Sequence, residues 1–145
     1  MTLEPFAIRR AHAGDAGDCA RIVNDWIDAV DWMPRIHSHD EFAGFVAEAI
    51  PVREVWVVGE PIAGYLSLNA SSAQIMGLYT ARPGAGMGKA LMDRAKHGRD
   101  YLHLWTHEPN TSARRFYTRE GFVELGCDAD RSPEGVTEIR MEWRA

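Results

Sequence analysis

Leu78-Tyr79-Thr80-Ala81-Arg82-Pro83-Gly84-Ala85-Gly86-Met87-Gly88-Lys89-Ala90-Leu91 carries an extended apolar run into alternating glycines and then into a helical pattern. Glycine turns the backbone sharply and lets a ligand approach the main chain, because no Cβ stands in the way. The helix that follows begins with unpaired amide N–H groups and the positive end of its dipole. The stretch therefore predicts a strand–turn–helix junction that seats a phosphate or diphosphate on main-chain donors. Two nucleotide patterns fail on it. A Walker loop needs glycine where Pro83 stands and a hydroxyl residue where Ala90 stands. A dinucleotide fingerprint built on Gly84 and Gly86 needs glycine at Lys89. Glycine spacing alone leaves a plain tight turn open as well.

Around this junction the periodicity alternates between extended and helical. Upstream, Phe6 to Arg9 reads as a strand, and Asp15 as the N-cap of a helix through Val30. Its apolar positions Cys19, Ile22, Val23, Trp26, Ile27 and Val30 recur at helical spacing. A loop from Asp31 to His39 holds Pro34, and Asp40 to Ile50 forms a second amphipathic helix. Glu54–Val58 and Ile62–Asn69 are strands joined across Gly59-Glu60-Pro61, and Gln74–Thr80 follows through Ala70-Ser71-Ser72. Downstream come a helix from Gly88 to His97, a strand Tyr101–Thr106, a helix Asn110–Glu120, and strands Phe122–Leu125 and Val136–Trp143. This order predicts an α/β domain over residues 1–145, a mixed and mainly antiparallel sheet of about seven strands flanked by about four helices.

Composition narrows the function classes. Hydrophobic residues make up 46% and charged ones 26%, which argues for a packed core and against disorder. The formal charge is −5, from 16 basic and 21 acidic residues, with no basic stripe; that disfavours nucleic acid and is compatible with a cationic small substrate. No apolar run reaches the roughly 20 residues of a membrane span, and the Met1–Arg10 segment lacks the order of a signal peptide. The expected location is the cytoplasm, without membrane association. Cys19 and Cys127 match no metal spacing and read as free thiols, Cys19 as a buried hydrophobe.

The second informative stretch is Leu104-Trp105-Thr106-His107-Glu108-Pro109-Asn110-Thr111-Ser112-Ala113-Arg114-Arg115-Phe116-Tyr117, followed by Glu120-Gly121-Phe122. With the glycine turn, it resembles the N-acetyltransferase (GNAT) superfamily. That family shows Gln/Arg-x-x-Gly-x-Gly/Ala at a strand-to-helix junction, then a strand, Asn, a helix bearing Ala-x-x-Phe-Tyr, and Gly-Phe. Pro83 to Gly88 match the first signature, with Pro83 at the Gln/Arg position; Arg82 or Lys89 stands ready to replace the missing side-chain donor. The resemblance covers nearly the whole chain, most specifically residues 78–123, and the ending Ile139 to Arg144 also looks like bacterial members.

The resemblance implies an acetyl-CoA-dependent transfer of an acetyl group to a primary amine by direct attack in a ternary complex, with no metal. It implies that the diphosphate sits on the main chain of Gly84, Ala85, Gly86, Met87, Gly88 and Lys89. It also implies an oxyanion met by main-chain donors of Leu78, Tyr79 and Thr80, a contact from Asn110 to the pantetheine or phosphate arm, and packing of Phe116 beside that arm. Tyr117 falls at the general-acid position. A phenol of pKa near 10 suits protonation of a leaving thiolate, since donor and acceptor are close in basicity.

The general base is open. Relatives place a glutamate on the strand corresponding to Gln74–Leu78, and none stands there. Candidates are His37, His39, Glu41, His107 and Glu108. Trp32, Met33, His37 and His39, in the loop between the first helices, are candidates for the acceptor pocket; Trp32 and Met33 serve equally well to seal the core. His37-Ser38-His39-Asp40 looks superficially like a metal cluster but reads better as a helix start capped by Ser38 or Asp40. The missing glutamate and Pro83 keep a non-catalytic acetyl-CoA-binding or regulatory module as the alternative. The acceptor, a small-molecule amine or a peptide, and the oligomeric state, homodimer included, are left open.

Overall fold

The structure is a computed structural model and describes residues 6–82 and 84–145. Pro83, where the phosphate signature departs from its pattern, and Met1 to Pro5 lie outside the described residues.

Hydrophobic periodicity becomes one seven-stranded sheet with two helices on each face. The elements are β1 (Ile8–Arg10), α1 (Ala16–Ala29), α2 (His39–Ala49), β2 (Glu54–Val58), β3 (Gly64–Asn69), β4 (Gln74–Thr80), α3 (Met87–Lys96), β5 (Tyr101–His107), α4 (Thr111–Arg119), β6 (Val123–Asp128) and β7 (Glu138–Arg144). Strand order is β1-β2-β3-β4-β5-β7-β6, and only the β4–β5 pair is parallel. The α/β reading from sequence is what the chain adopts. No helix among the described residues is long and apolar enough to cross a membrane.

Strand alternation sorts the core into two layers. Leu66 and Leu68 of β3, Leu102 and Leu104 of β5, and Ile139 and Met141 of β7 pack against Met87, Leu91 and Met92 of α3 and Tyr117 of α4. Val55, Val57 and Tyr65 face the other way, onto Cys19 and Ile22 of α1. Cys19 is the fully buried hydrophobe expected, its thiol pushed up to about 12 by burial, while Cys127 is exposed on β6.

Boundaries moved where side-chain chemistry overrode spacing. Ser38, rather than Asp40, caps α2: its hydroxyl accepts from the Glu41 amide at 3.1 Å while Glu41 accepts from the Ser38 amide at 2.9 Å. Asp15 does not cap α1 with its side chain, because a single 3-10 turn, Ala13–Asp15, precedes that helix. Its carboxylate instead accepts two hydrogen bonds from Arg9, at 2.7 and 3.0 Å, and one from the His12 amide at 2.9 Å.

Those donors, Arg9 foremost, hold the Asp15 carboxyl at about 2, below its ordinary 3.8. A depressed carboxylate stabilises the fold above its unfolded value and loses that contribution as pH falls through the folded one. Asp15→Asn is therefore expected to cost about 1–2 kcal/mol at pH 7, the half-exposed Arg9 screening part of the pair. The deficit should shrink steadily between pH 4 and pH 2, as urea unfolding at both ends of that range would read.

Candidate active site

The site begins where β4 leaves β5. The two strands pair only at Gln74↔His103 and Ile75↔Leu104, although β4 stays in register with β3 as far as Thr80. The β3–β4 register shifts between Ser67 and Leu68, which leaves Met76 as an extra residue on β4. That bulge bends the strand and increases its twist. From Met76 onward the β4 edge toward β5 has no strand partner, so its outward N–H groups are free for a ligand. The opening is a cleft of about 550 Å3, and Leu78, Tyr79 and Thr80 all line it. Such a volume lies within the range of small-molecule sites.

The glycine turn closes one end. Gly84 and Gly86 take φ of 83° and 87°, a left-handed conformation that side chains resist. Gly86 starts α3, whose first helical hydrogen bond runs from the Ala90 amide to the Gly86 carbonyl. The amides of Met87, Gly88 and Lys89 thus have no helical acceptor. Met87 anchors the turn by burying its side chain in the core. A Cβ at Gly88 would lie 3.4 Å from the Phe116 ring, so glycine there permits α3 and α4 to approach across the cleft.

Of the two cations offered as substitutes at Pro83, Lys89 is already engaged, with Asp93 at 3.3 Å and Glu120 at 3.6 Å. Arg82 lines the cleft, is exposed, and forms no ion pair among the described residues. Arg119 shares that position from α4 and was not anticipated. It stands three residues after Phe116, on the same helical face, so its spacing alone carried the signal.

Helix α4 presents Ser112, Ala113, Phe116, Tyr117 and Arg119 to the cleft, and Glu120, the helix C-cap, lines it too. Asn110 caps it, its side-chain oxygen accepting from the Ala113 amide at 3.2 Å; the carbonyl is therefore used structurally and the side-chain NH2 remains for a ligand. Arg114 ties the helix to β6 through Glu124, at 2.8 and 3.1 Å. Tyr117 is buried against Phe116 and Phe122 and reaches the cleft wall. Burial, with the Tyr79 hydroxyl nearby, raises its phenol well above the ordinary value. Tyr79 is pushed up to about 12 by burial, helped by Glu134 and Glu138.

On the α1 side, His107 ends β5 and lines the cleft between two indoles, with ring centroids 6.4 Å from Trp26 and 5.4 Å from Trp32. Directly opposite it in register, Glu138 of β7 also lines the cleft. Glu138 is a second residue missed from sequence, because only strand pairing brings it beside His107; Arg131 stands 3.5 Å from its carboxylate.

Six other expected positions fall elsewhere. Met33 packs with Val23 and Ile27 and seals the core rather than lining an acceptor pocket. His37 is wedged edge-on between Phe42 and Phe45, and His39 hydrogen-bonds Asp28 at 2.8 Å on the surface. Neither lines the cleft, and Glu41 is committed to its capping box. Trp32 meets the site only through His107 and Trp26. Glu108 is an exposed turn residue whose amide binds the Thr137 carbonyl.

A strand-to-helix glycine turn, a splayed strand pair and a buried tyrosine thus open on one cleft. The acetyltransferase (GNAT) domain matches residues 31–145. The chain belongs to the GNAT acetyltransferases.

Solved GNAT-like structures agree in fold across nearly the full length. Apo YjaB of Escherichia coli superposes with a TM-score of 0.77 at 22% identity, covering 97% of this chain and 98% of that one. A GNAT-family acetyltransferase of Bacillus cereus gives 0.76 at 17% identity, covering 97% and 98%. YncA of Salmonella typhimurium, solved with its cofactor acetyl-CoA, gives 0.72 at 18% identity, covering 97% and 94%. At these identities the likeness speaks for the fold. No curated protein matches the sequence.

Proposed function

We propose that this GNAT protein transfers an acetyl group from acetyl-CoA to a primary amine by direct attack within a ternary complex. One observation carries the reading: the helix start at Gly88 and Lys89, the unpaired β4 edge and Tyr117 converge on a single cleft. The residues present suit the donor. Three main-chain donors at a helix start, flanked by Arg82 and Arg119, match the charge of a diphosphate. The unpaired β4 edge offers N–H groups to an oxyanion. Glu138, Tyr79 and His107 lie on the far side, where an acceptor would enter.

In this reading His107 accepts a proton from the acceptor ammonium, and Trp26 and Trp32 fix its ring. The neutral amine attacks the thioester carbon, the carbon–sulfur bond breaks, the thiolate takes a proton from Tyr117, and the second proton shed by the amine nitrogen restores the Tyr117 phenol. Positioning both substrates supplies much of the rate. Among the histidine and glutamate candidates for the base, His107 lines the cleft and His37, His39, Glu41 and Glu108 do not.

The test is thiol release over a panel of primary amines, with melting of the protein measured with and without acetyl-CoA. A ligand at about 100 times its Kd should add roughly 2.7 kcal/mol of stability. His107→Gln is expected to lower kcat/KM about 100-fold at pH 7. The deficit should narrow near pH 10, where solvent itself deprotonates the amine. A uniform deficit at every pH would remove the base role, and a melting shift without thiol release from any amine would favour a binding module.

A further inference from the structure

A second, smaller recess opens on the α1/α2 face of the sheet, behind β4. It measures about 160 Å3, is walled by Phe42, Val46 and Tyr65, and shares Met76, Gly77 and Tyr79 with the main cleft. The two spaces therefore meet along the bulge. Within it lies Ser67, 6% exposed, whose Oγ has no hydrogen-bond partner among the described residues. A buried hydroxyl left without a partner is costly, and most find one. Gly77 stands opposite Ser67 in register, and a Cβ there would strike the Tyr79 ring at 2.9 Å. Glycine is thus what allows that ring to form the partition between recess and cleft.

The lining selects the ligand. A dry apolar cavity of about 150 Å3 holds one benzene ring. The walls are aromatic and aliphatic, and the one charged lining residue, Arg53, repels a second ammonium. A polyamine tail is therefore disfavoured. The orphaned Ser67 hydroxyl asks for one hydrogen-bonding atom at the end of an otherwise apolar group.

Resting on the acetyl-transfer reading, we infer that the acceptor is a primary amine borne on one aromatic or branched-alkyl group. That group fills the recess, with a hydrogen-bonding atom at Ser67, while the amine passes Met76 and Tyr79 into the cleft.

Thiol release with ethylamine, 2-phenylethylamine, tyramine and spermidine tests this. The kcat/KM for 2-phenylethylamine is expected to exceed that for ethylamine about 100-fold, the worth of burying a ring, and to exceed that for spermidine. Val46→Phe, which fills the recess from α2, should cut the phenylethylamine-to-ethylamine ratio about tenfold, the phenyl group having lost its place. Ser67→Ala should cost tyramine about fivefold more than 2-phenylethylamine, one hydrogen bond's worth. Retained melting shifts with acetyl-CoA show that both variants fold. A ratio near one in the unmodified protein, or one that Val46→Phe leaves unmoved, overturns the inference. Binding is read separately from turnover, by amide chemical shifts on adding 2-phenylethylamine to the CoA-bound protein. Shifts centred on Ser67 and Gly77 support the recess as an arylalkylamine site even if no amine turns over, a result that would sink the transfer reading alone. Shifts absent from both residues overturn the recess.

Discussion

Tyr117→Phe is expected to lower kcat for thiol release by about 100- to 1000-fold at pH 7, with little change in acetyl-CoA affinity. The ring keeps its packing against Phe116 and Phe122, so only the proton is removed. Burial lifts the phenol well above its ordinary range, which keeps it protonated at every pH where the protein would be assayed. A raised value makes a weaker acid in water. In the same dry cleft, though, the departing thiolate is also harder to leave charged, so donor and acceptor rise together and the mismatch stays small. The sign of the pH dependence follows. With the thiol raised above its ordinary value of about 8.5, a thiolate departs without needing a proton only in more alkaline solution. The Tyr117→Phe deficit should therefore be largest near neutrality and shrink toward pH 9.5. Undiminished thiol release at pH 7 would strip Tyr117 of the acid role.

The parts of this site that sequence made legible are those written in local geometry. Glycines at 84, 86 and 88 announced the turn because positive φ and close approach are backbone demands that few other residues meet. Phe116 and Tyr117 were placed by the family motif Ala-x-x-Phe-Tyr that they complete, since neighbours on a helix point about 100° apart and share no periodic signal. What sequence concealed was set by strand pairing. Glu138 reaches His107 only because β7 lies antiparallel to β5 in one particular register, and no local pattern encodes that. The loop after α1 misled for a related reason. His37 and His39 have polar chemistry, but two phenylalanines and Asp28 absorb it, and Met33 turns inward to close the gap over Val23. Ser67 was hidden inside an apolar strand, where a hydroxyl ordinarily passes for a tolerated small residue.

The bulge at Met76 ties these pieces together. Before it, Ile75 packs on the α3 side; after it, Leu78 does so as well, three positions later rather than the even number that strict alternation requires. One inserted residue thus flips the strand, releases its edge from β5, and swings Tyr79 to the α1 side beside Trp26 and Tyr65. A reagent on the α4 side and another on the α1 side can then meet through the sheet, at a point where its hydrogen bonding is interrupted.

Gly88→Val should separate binding from stability at the other end of the cleft. Position 88 lies in the first turn of α3, and a Cβ there already stands 3.4 Å from the Phe116 ring. Alanine can be accommodated by a shift of a few tenths of an ångström, and replacing glycine in a helix gains up to about 1 kcal/mol. Gly88→Ala is thus expected to melt slightly higher than the unmodified protein. Valine adds two methyl groups that the ring cannot clear, a cost of about 1–3 kcal/mol that outweighs a propensity gain of only a few tenths. The valine protein should fold but melt lower than the unmodified protein, with its α3 start displaced from α4. Hydrogen bonds to a charged group are worth about 1.5–3 kcal/mol each, so misplacing two of the three free amides should weaken acetyl-CoA by 100-fold or more. Calorimetric titration with acetyl-CoA beside a melting curve reads both quantities. If valine left the affinity intact, the diphosphate would have to be held elsewhere than at this turn.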